Sequence, residues 1–353
     1  MSLKNLNASS KIHKQLLNKL RDKRIYKIYN KFEKNLNLNN NFAVAVSGGA
    51  DSLALAFFSK IYSIKKSLKV KYFLVDHKLR TNSSVEALFV KNLLKDFSID
   101  LNILRWSGKK PKSNIQSLAR KKRYNILIKQ SKNHEIIHIL FGHQEDDVYE
   151  NFFIRLLRGS GLKGIVSLDK KTSINKVNIL RPLIQVEKKD LIYISKKVFN
   201  EYVEDPSNEN EIFTRVRIRN LIKNLENEGL DKNKFKLSIQ KLKSVDQSIQ
   251  FFCEKNLREN SIIYENKVVL NEEFFNFPQE VLFRSFSRIL QLVGKKYFPP
   301  RGKKIVNILK NLENKITFKT TLGNCVIKKI NRTVIVYKAV SYTHLTLPTK
   351  RIV

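Results

Sequence analysis

Cysteine is nearly absent: only Cys253 and Cys325 occur in 353 residues. They are far apart, and no C-x-x-C or Cys/His ligand spacing accompanies them, which excludes a disulfide framework and is what a reduced, cytoplasmic protein shows. No apolar run approaches the ~18–20 residues of a membrane span. The N-terminus is basic and amphipathic but lacks the apolar core of a secretory signal. Acidic residues are scarce, 31 against 68 Lys and Arg, for a net charge of +37. That imbalance suits a polyanionic partner, most simply nucleic acid, although a general bias toward Lys, Asn and Ile contributes to it. There is no G-x-x-x-x-G-K-S/T string, so the chain has no Walker phosphate loop.

What it has instead is Ser47-Gly48-Gly49-Ala50-Asp51-Ser52. The preceding run, Phe42–Val46, is short and Val-containing, as a buried strand is. The following run, from Leu53 to about Ile64, is rich in Leu and Ala and suits a helix. A strand, a Gly-Gly turn and a helix start form a phosphate cradle: glycine lets backbone N–H groups approach an anion, and the helix terminus adds unpaired donors. Ser47 and Ser52 can donate hydroxyls, and Asp51 can hold the Mg²⁺ that accompanies a nucleotide. The stretch resembles the PP-loop of ATP pyrophosphatases, which cleave between the α and β phosphates.

Around it, strands and helices alternate. A basic helix is expected over about 9–35. Strands are expected at 42–46, 70–75, 100–104, 136–141 and 178–182, and helices at about 83–97, 113–132, from 145, and 188–199. Such alternation implies βαβ units and a parallel sheet, with ligands beyond the strand C-terminal ends. Asp76-His77 with Leu79-Arg80 follows one strand, and His143 with Asp146, Asp147 and Glu150 follows a later one, at that same edge. Each histidine there reads equally as structural or catalytic. On a helix, Glu150 shares a face with either aspartate, while acids at a helix start also simply favour its dipole. In Arg215-Val216-Arg217-Ile218-Arg219 three arginines alternate with apolar residues; they either hold phosphates or are solvated at a helix start. Helical periodicity runs from about 221 to 292, and β-hairpins are expected over 316–337. Residues 341–353 lack the character of the rest and read as foreign to the fold.

In order, Ser47–Ser52, Asp76-His77-x-Leu79-Arg80, Ala119-Arg120 with Arg123-Tyr124, Gly142-His143-x-x-Asp146-Asp147 with Glu150, Arg158-Gly159-Ser160-Gly161, Arg181-Pro182-Leu183 and Glu204–Asn208 resemble the tRNA(Ile)-lysidine synthetases, PP-loop enzymes of the N-type ATP pyrophosphatase group. The resemblance is strong over roughly 40–222. It implies an α/β fold: a parallel-sheet PP-loop domain of the adenine nucleotide α-hydrolase-like kind, then a helical domain and a small C-terminal α+β domain. The expected partition is a helical segment at 1–40, the catalytic domain at 41–222, a helical tRNA-binding domain at 223–295, the α+β domain at 296–340 and the foreign tail at 341–353.

The implied reaction adenylates C2–O of the wobble cytidine of an isoleucine tRNA with a CAU anticodon, releasing pyrophosphate; the L-lysine ε-amine then attacks C2 and expels AMP. ATP, Mg²⁺, L-lysine and that tRNA are the implied partners, with no membrane and with a homodimer left open. Under this resemblance Ser47, Gly48, Gly49, Ala50, Asp51, Ser52, Asp76 and His77 serve the nucleotide and Asp51 also the metal. Asp51, Asp146, Asp147, Glu150, Arg120 and Arg123 are catalytic, and Arg80, His143, Arg158, Arg215, Arg217 and Arg219 contact substrate. Gln144 stands where the family commonly has a second histidine. The nearest rival is a PP-loop tRNA thiolase, against which the cysteine-free stretch 1–252 speaks; a small-molecule PP-loop amide synthetase is a more distant one.

Overall fold

Five consecutive apolar residues, Phe42–Val46, make strand β1, which is covered on both faces, as a central parallel strand is. The computed structural model describes residues 12–78, 82–106, 115–205, 210–296 and 298–339. These form two compact units that divide between Lys232 and Asn233.

In the first unit, α1 (Lys23–Leu36) starts where the Asp22 carboxylate accepts the N–H groups of Arg24 and Ile25. It buries Ile25, Ile28, Tyr29, Phe32 and Leu36 along one stripe. The single helix expected over 9–35 is thus interrupted at Asp22, with a 3₁₀ turn at Lys19–Arg21 before it. After β1 come α2 (Ala50–Lys66), β2 (Val70–Asp76), α3 (Ser83–Lys95), β3 (Leu101–Arg105), α4 (Ile115–Asn133), β4 (His138–Leu140), α5 (Glu145–Leu157), the one-turn α6 (Leu162–Ile165), β5 (Lys171–Ile174), β6 (Val177–Leu180), α7 (Lys188–Phe199) and α8 (Thr214–Asn227).

The sheet order is β3-β2-β1-β4-β6-β5. All its pairs are parallel except the β5–β6 hairpin. That hairpin was not anticipated; Asn175 and Lys176 turn it, both with positive φ, the geometry of a tight two-residue connection. One face of the sheet packs on α1, α2, α3 and α7, with Phe32, Leu55, Phe58 and Ile194 in the shared core. The other packs on α4 through Leu127 and Ile128 against Phe73 and Ile139. From β1 the chain runs outward to β2 and β3 and then returns to β4 on the opposite side. The β1/β4 boundary is therefore the topological switch point.

The second unit contains α9 (Lys232–Asn260, its first residue on the boundary), β7 (Ser261–Ile263), β8 (Lys267–Leu270), α10 (Gln279–Gly294), α11 (Gly302–Asn314), β9 (Thr317–Leu322), β10 (Cys325–Ile330) and β11 (Thr333–Lys338). Its antiparallel sheet has the order β7-β8-β11-β10-β9. Here the helical expectation for 221–292 needs correction. Ile262-Ile263 and Val268-Val269 are β-branched pairs that form strands, and β8 pairs with β11 from the far end of the chain. One apolar cluster joins Phe274, Phe286 and Ile289 to Ile305, Leu309, Ile327 and Val336, so residues assigned separately to 223–295 and 296–340 share one core, and the expected boundary at 222 falls within α8. The tail expected at 341–353 lies outside the described residues. No described helix is long and apolar enough to cross a membrane.

Candidate active site

The turn after β1 is built around one hydroxyl. Ser52 Oγ accepts the N–H groups of Ser47 and Gly48, each at 3.1 Å, and donates to the Gly49 carbonyl at 2.9 Å. Gly48 has φ +90, and a Cβ there would lie 2.6 Å from Val90 Cγ2, so only glycine fits. Val203 N–H donates to the Gly48 carbonyl at 3.0 Å and closes the loop from outside. Ser52 is thus a buried staple of the loop, whereas Ser47 is exposed at its mouth. Gly49 caps α2, and the carbonyl of Ala50 accepts from Ser195 Oγ on α7 at 2.7 Å.

Asp51 sits in the first turn of α2 with Oδ1 buried and unpartnered. Burial pushes its carboxyl up to about 7, Asp147 and Asp146 add to the rise, and Lys188 at the start of α7 opposes it. An orphaned carboxylate oxygen beside two further acids fits a hard cation. Among the described residues no three His, Cys, Asp or Glu side chains are placed to ligate one ion together. That donor set suits Mg²⁺, which commonly takes one or two carboxylates and completes its shell with phosphates and water.

Across the switch point, Gly142 lies against the start of α2: a Cβ on it would be 3.1 Å from the Asp51 carbonyl oxygen. Its absence of a side chain is what lets the β4–α5 connection reach the loop. Gln144 caps α5 with a reciprocal box, its Oε1 accepting Asp146 N–H at 2.7 Å and its N–H donating to Asp147 Oδ2 at 2.9 Å. Gln144 therefore fills a structural position.

Asp147 Oδ1 takes Arg215 Nη1 at 3.2 Å, Arg215 also reaches Glu150 Oε2 at 3.4 Å, and Arg219 Nε meets Glu150 Oε1 at 2.6 Å. The Glu150 side chain is 2 % exposed; burial raises its carboxyl and Arg219 opposes the rise. Of the three arginines, only Arg215 and Arg219 face the acids. Arg217 turns to the carbonyls of Glu211 and Ile212 at the start of its own helix.

Buried His143 is held well below its usual range by desolvation and by Arg120, Arg181, Arg123 and Arg215. Arg120 Nη2 is 3.4 Å from its Nε2 and 3.2 Å from Tyr124 OH. An arginine only donates, so Nε2 is the acceptor of a neutral ring. Arg123 Nε and His143 Nδ1 are buried without partners, two donors available to an anion. Arg181 holds the β5–β6 hairpin through the Asp169 carbonyl and Thr172 Oγ1.

At the β2 edge, Asp76 accepts Ser84 Oγ at 2.6 Å and Lys78 N–H at 2.9 Å. Burial would raise its carboxyl, but these hydrogen bonds bring it below the ordinary value, so it serves to shape the connection to α3. His77 packs edge-on against Trp106, ring centroids 5.8 Å apart, and desolvation with Arg123 lowers its pKa. Arg158 is exposed at the far end of α5, and Arg80 lies outside the described residues. Sequence reading missed Gly142, Lys188, Ser195 and Trp106 as contributors. Gly142 stood inside a recognised string, but Lys188 and Ser195 carry no local signal, since only the packing of α7 on α2 brings them near the loop.

Residues 18–226 match the model of the PP-loop domain family. The curated relatives include a tRNA(Ile)-lysidine synthase of Orientia tsutsugamushi, 31% identical over 85% of this chain and 70% of its own length. Another, from Rhodopseudomonas palustris, is 32% identical over 74% of this chain and 77% of its own length. Among solved structures, a U34-tRNA thiolase of Methanococcus maripaludis superposes with a TM-score of 0.53 at 18% identity, covering 63% of this chain and 78% of that one, a likeness of fold alone. With a PP-loop at the switch point, facing acids and half-buried arginines across it, and these relatives over most of its length, the chain belongs to the tRNA(Ile)-lysidine synthase family of PP-loop proteins.

Proposed function

We propose that this chain uses ATP and lysine to convert the wobble cytidine of the CAU-anticodon isoleucine tRNA to lysidine. The observation that carries the reading is the meeting, at one switch point, of the PP-loop with its orphaned Asp51 oxygen and the Asp147–Glu150 edge with its arginines. The cytidine C2–O attacks the α-phosphorus and the bond to pyrophosphate breaks. The lysine ε-amine, having lost a proton, then attacks C2, and AMP leaves with its oxygen.

The Ser47–Ser52 loop grips the departing pyrophosphate. Asp51 would hold Mg²⁺, which neutralises polyphosphate charge when bound. Arg120 and Arg123 face negative charge gathering at the α-phosphate. Asp146, Asp147 and Glu150 supply the acidic edge that orients the lysine ammonium and accepts its proton. Neutral His143 offers Nδ1–H to substrate while its other nitrogen rests on Arg120. The second unit and the excess of basic residues serve the tRNA.

Sulfur transfer would share the adenylation step, but no cysteine precedes Cys253, and both cysteines are buried. The test is incubation of the pure protein with radiolabelled lysine, ATP and a CAU-anticodon transcript. ATP-dependent label in the RNA is expected, and a transcript that stays unlabelled overturns the reading.

A further inference from the structure

The antiparallel sheet of the second unit has one face on α10 and α11 and one face open. Strand register sorts the side chains. Ile327, Val334, Val336 and Val268 point into the helix-covered core. On the other side Tyr337 lies opposite Lys267, Ile335 opposite Val269, and Lys328 opposite both Ile335 and Lys319. Lys267, Lys319 and Lys328 are exposed. By this alternation, every described strand position on the open face is apolar, hydroxyl-bearing or lysine, and none is acidic.

Two like charges directly opposite on neighbouring strands destabilise a sheet. Here Lys319 and Lys328 form such a pair, and among the described residues neither has an ion-pair partner. Lys267 instead lies 4.7 Å over the ring of exposed Tyr264. A cationic strip with aromatic and apolar ground between its charges, and no counter-charge of its own, is complementary to a polyanion whose bases stack. Lysines neutralise phosphates, and aromatic faces accept unstacked bases.

We infer that the open face of β7-β8-β11-β10-β9 is an RNA-docking platform, on which Lys267, Lys319 and Lys328 meet phosphates and Tyr337 meets a base or ribose. The inference rests on the tRNA reading for the identity of the RNA. It moves the contact from the helical tRNA-binding domain that the family resemblance implies at 223–295 to the sheet.

The experiment compares the full chain with K319Q/K328Q and with Y337A, using a CAU-anticodon transcript. The double variant is expected to bind the transcript roughly tenfold more weakly at 100 mM salt, with the slope of log affinity against log salt reduced by about 2. Its thermal midpoint stays level or rises, because a like-charge pair has gone. In lysine transfer the KM for tRNA rises while kcat holds; Y337A weakens binding without changing the salt slope. Unchanged affinity and slope in the double variant overturn the proposal, as does a shift in oligomeric state on gel filtration, which would make the face a contact between copies. If the wild-type chain transfers no lysine, the functional reading fails, while direct binding and its salt slope still decide the platform.

Discussion

Asp51 is the residue where structure and chemistry pull hardest against each other. Burial and the neighbouring acids raise its pKa to about 7, against 3.8 when unfolded. Between pH 4 and 7 the folded chain holds a proton there that the unfolded chain has released. Stability therefore falls as pH rises through that window and stays low above it. Asp51→Asn should abolish this fall and raise stability at pH 8 by up to about 4 kcal/mol, while cutting lysine transfer by roughly a hundredfold or more. Thermal melts at pH 5 and pH 8 without Mg²⁺ or ATP provide the check; equal pH slopes in the two proteins would sink the assignment. Individual residues were also where sequence reading divided most clearly. Asp51 was legible because a Gly-Gly turn between a strand and a helix leaves few other uses for an acid. Ser52 was legible as a member of the loop but not in its task, because a hydroxyl that staples its own turn and one that meets a phosphate look alike in sequence. Lys188, more than a hundred residues from Asp51, could be found only from packing.

Among the elements, the pairing of α5 with α8 fixes the acidic edge. Alternation with apolar residues would put all three arginines on one face only in a strand, and this segment is a helix. On a helix Arg217 stands roughly 200° from Arg215, whereas Arg219 returns to its side. That is why two of the three meet Glu150 and one does not. Arg219→Met leaves the buried Glu150 facing Arg215 alone at 3.4 Å and is expected to lower stability by about 3 kcal/mol. E150M/R219M should recover more than half of that loss, and Arg217→Ala should stay within about 0.5 kcal/mol of the parent. Urea unfolding followed by the fluorescence of Trp106, the sole tryptophan and a first-unit residue, measures all three. Equal losses for Arg217 and Arg219 would contradict the face assignment. The alternating α/β order was readable because buried parallel strands are short apolar runs between longer amphipathic ones. The β7–β8 strands were not, because each is only three or four residues long and flanks a 29-residue helix whose periodicity dominates the window.

For the whole molecule, the charge of +37 becomes a measurable property. If the excess lysine and arginine serve RNA, affinity for the transcript should fall by about a thousandfold between 50 and 200 mM salt. A flat response in a filter-binding titration would assign the charge to composition alone. Domain partition is where the sequence was least informative. The second unit's core draws on strands and helices from residue 257 to residue 336, and such long-range closure leaves no composition shift at a boundary.

The α5–α8 ion pairs also set an order in time. A chain made from its N-terminus displays Asp51, Asp147 and Glu150 before Arg215 and Arg219 exist, and at about 5–20 residues per second the interval lasts several seconds. During that interval Asp147 and Glu150 lack the two arginines that pair with them, so the α5–α8 lock on the switch-point edge is still open. The last helix of the first unit is what sets it, and the enzyme's acidic edge is therefore assembled only once nearly the whole PP-loop domain has been synthesised.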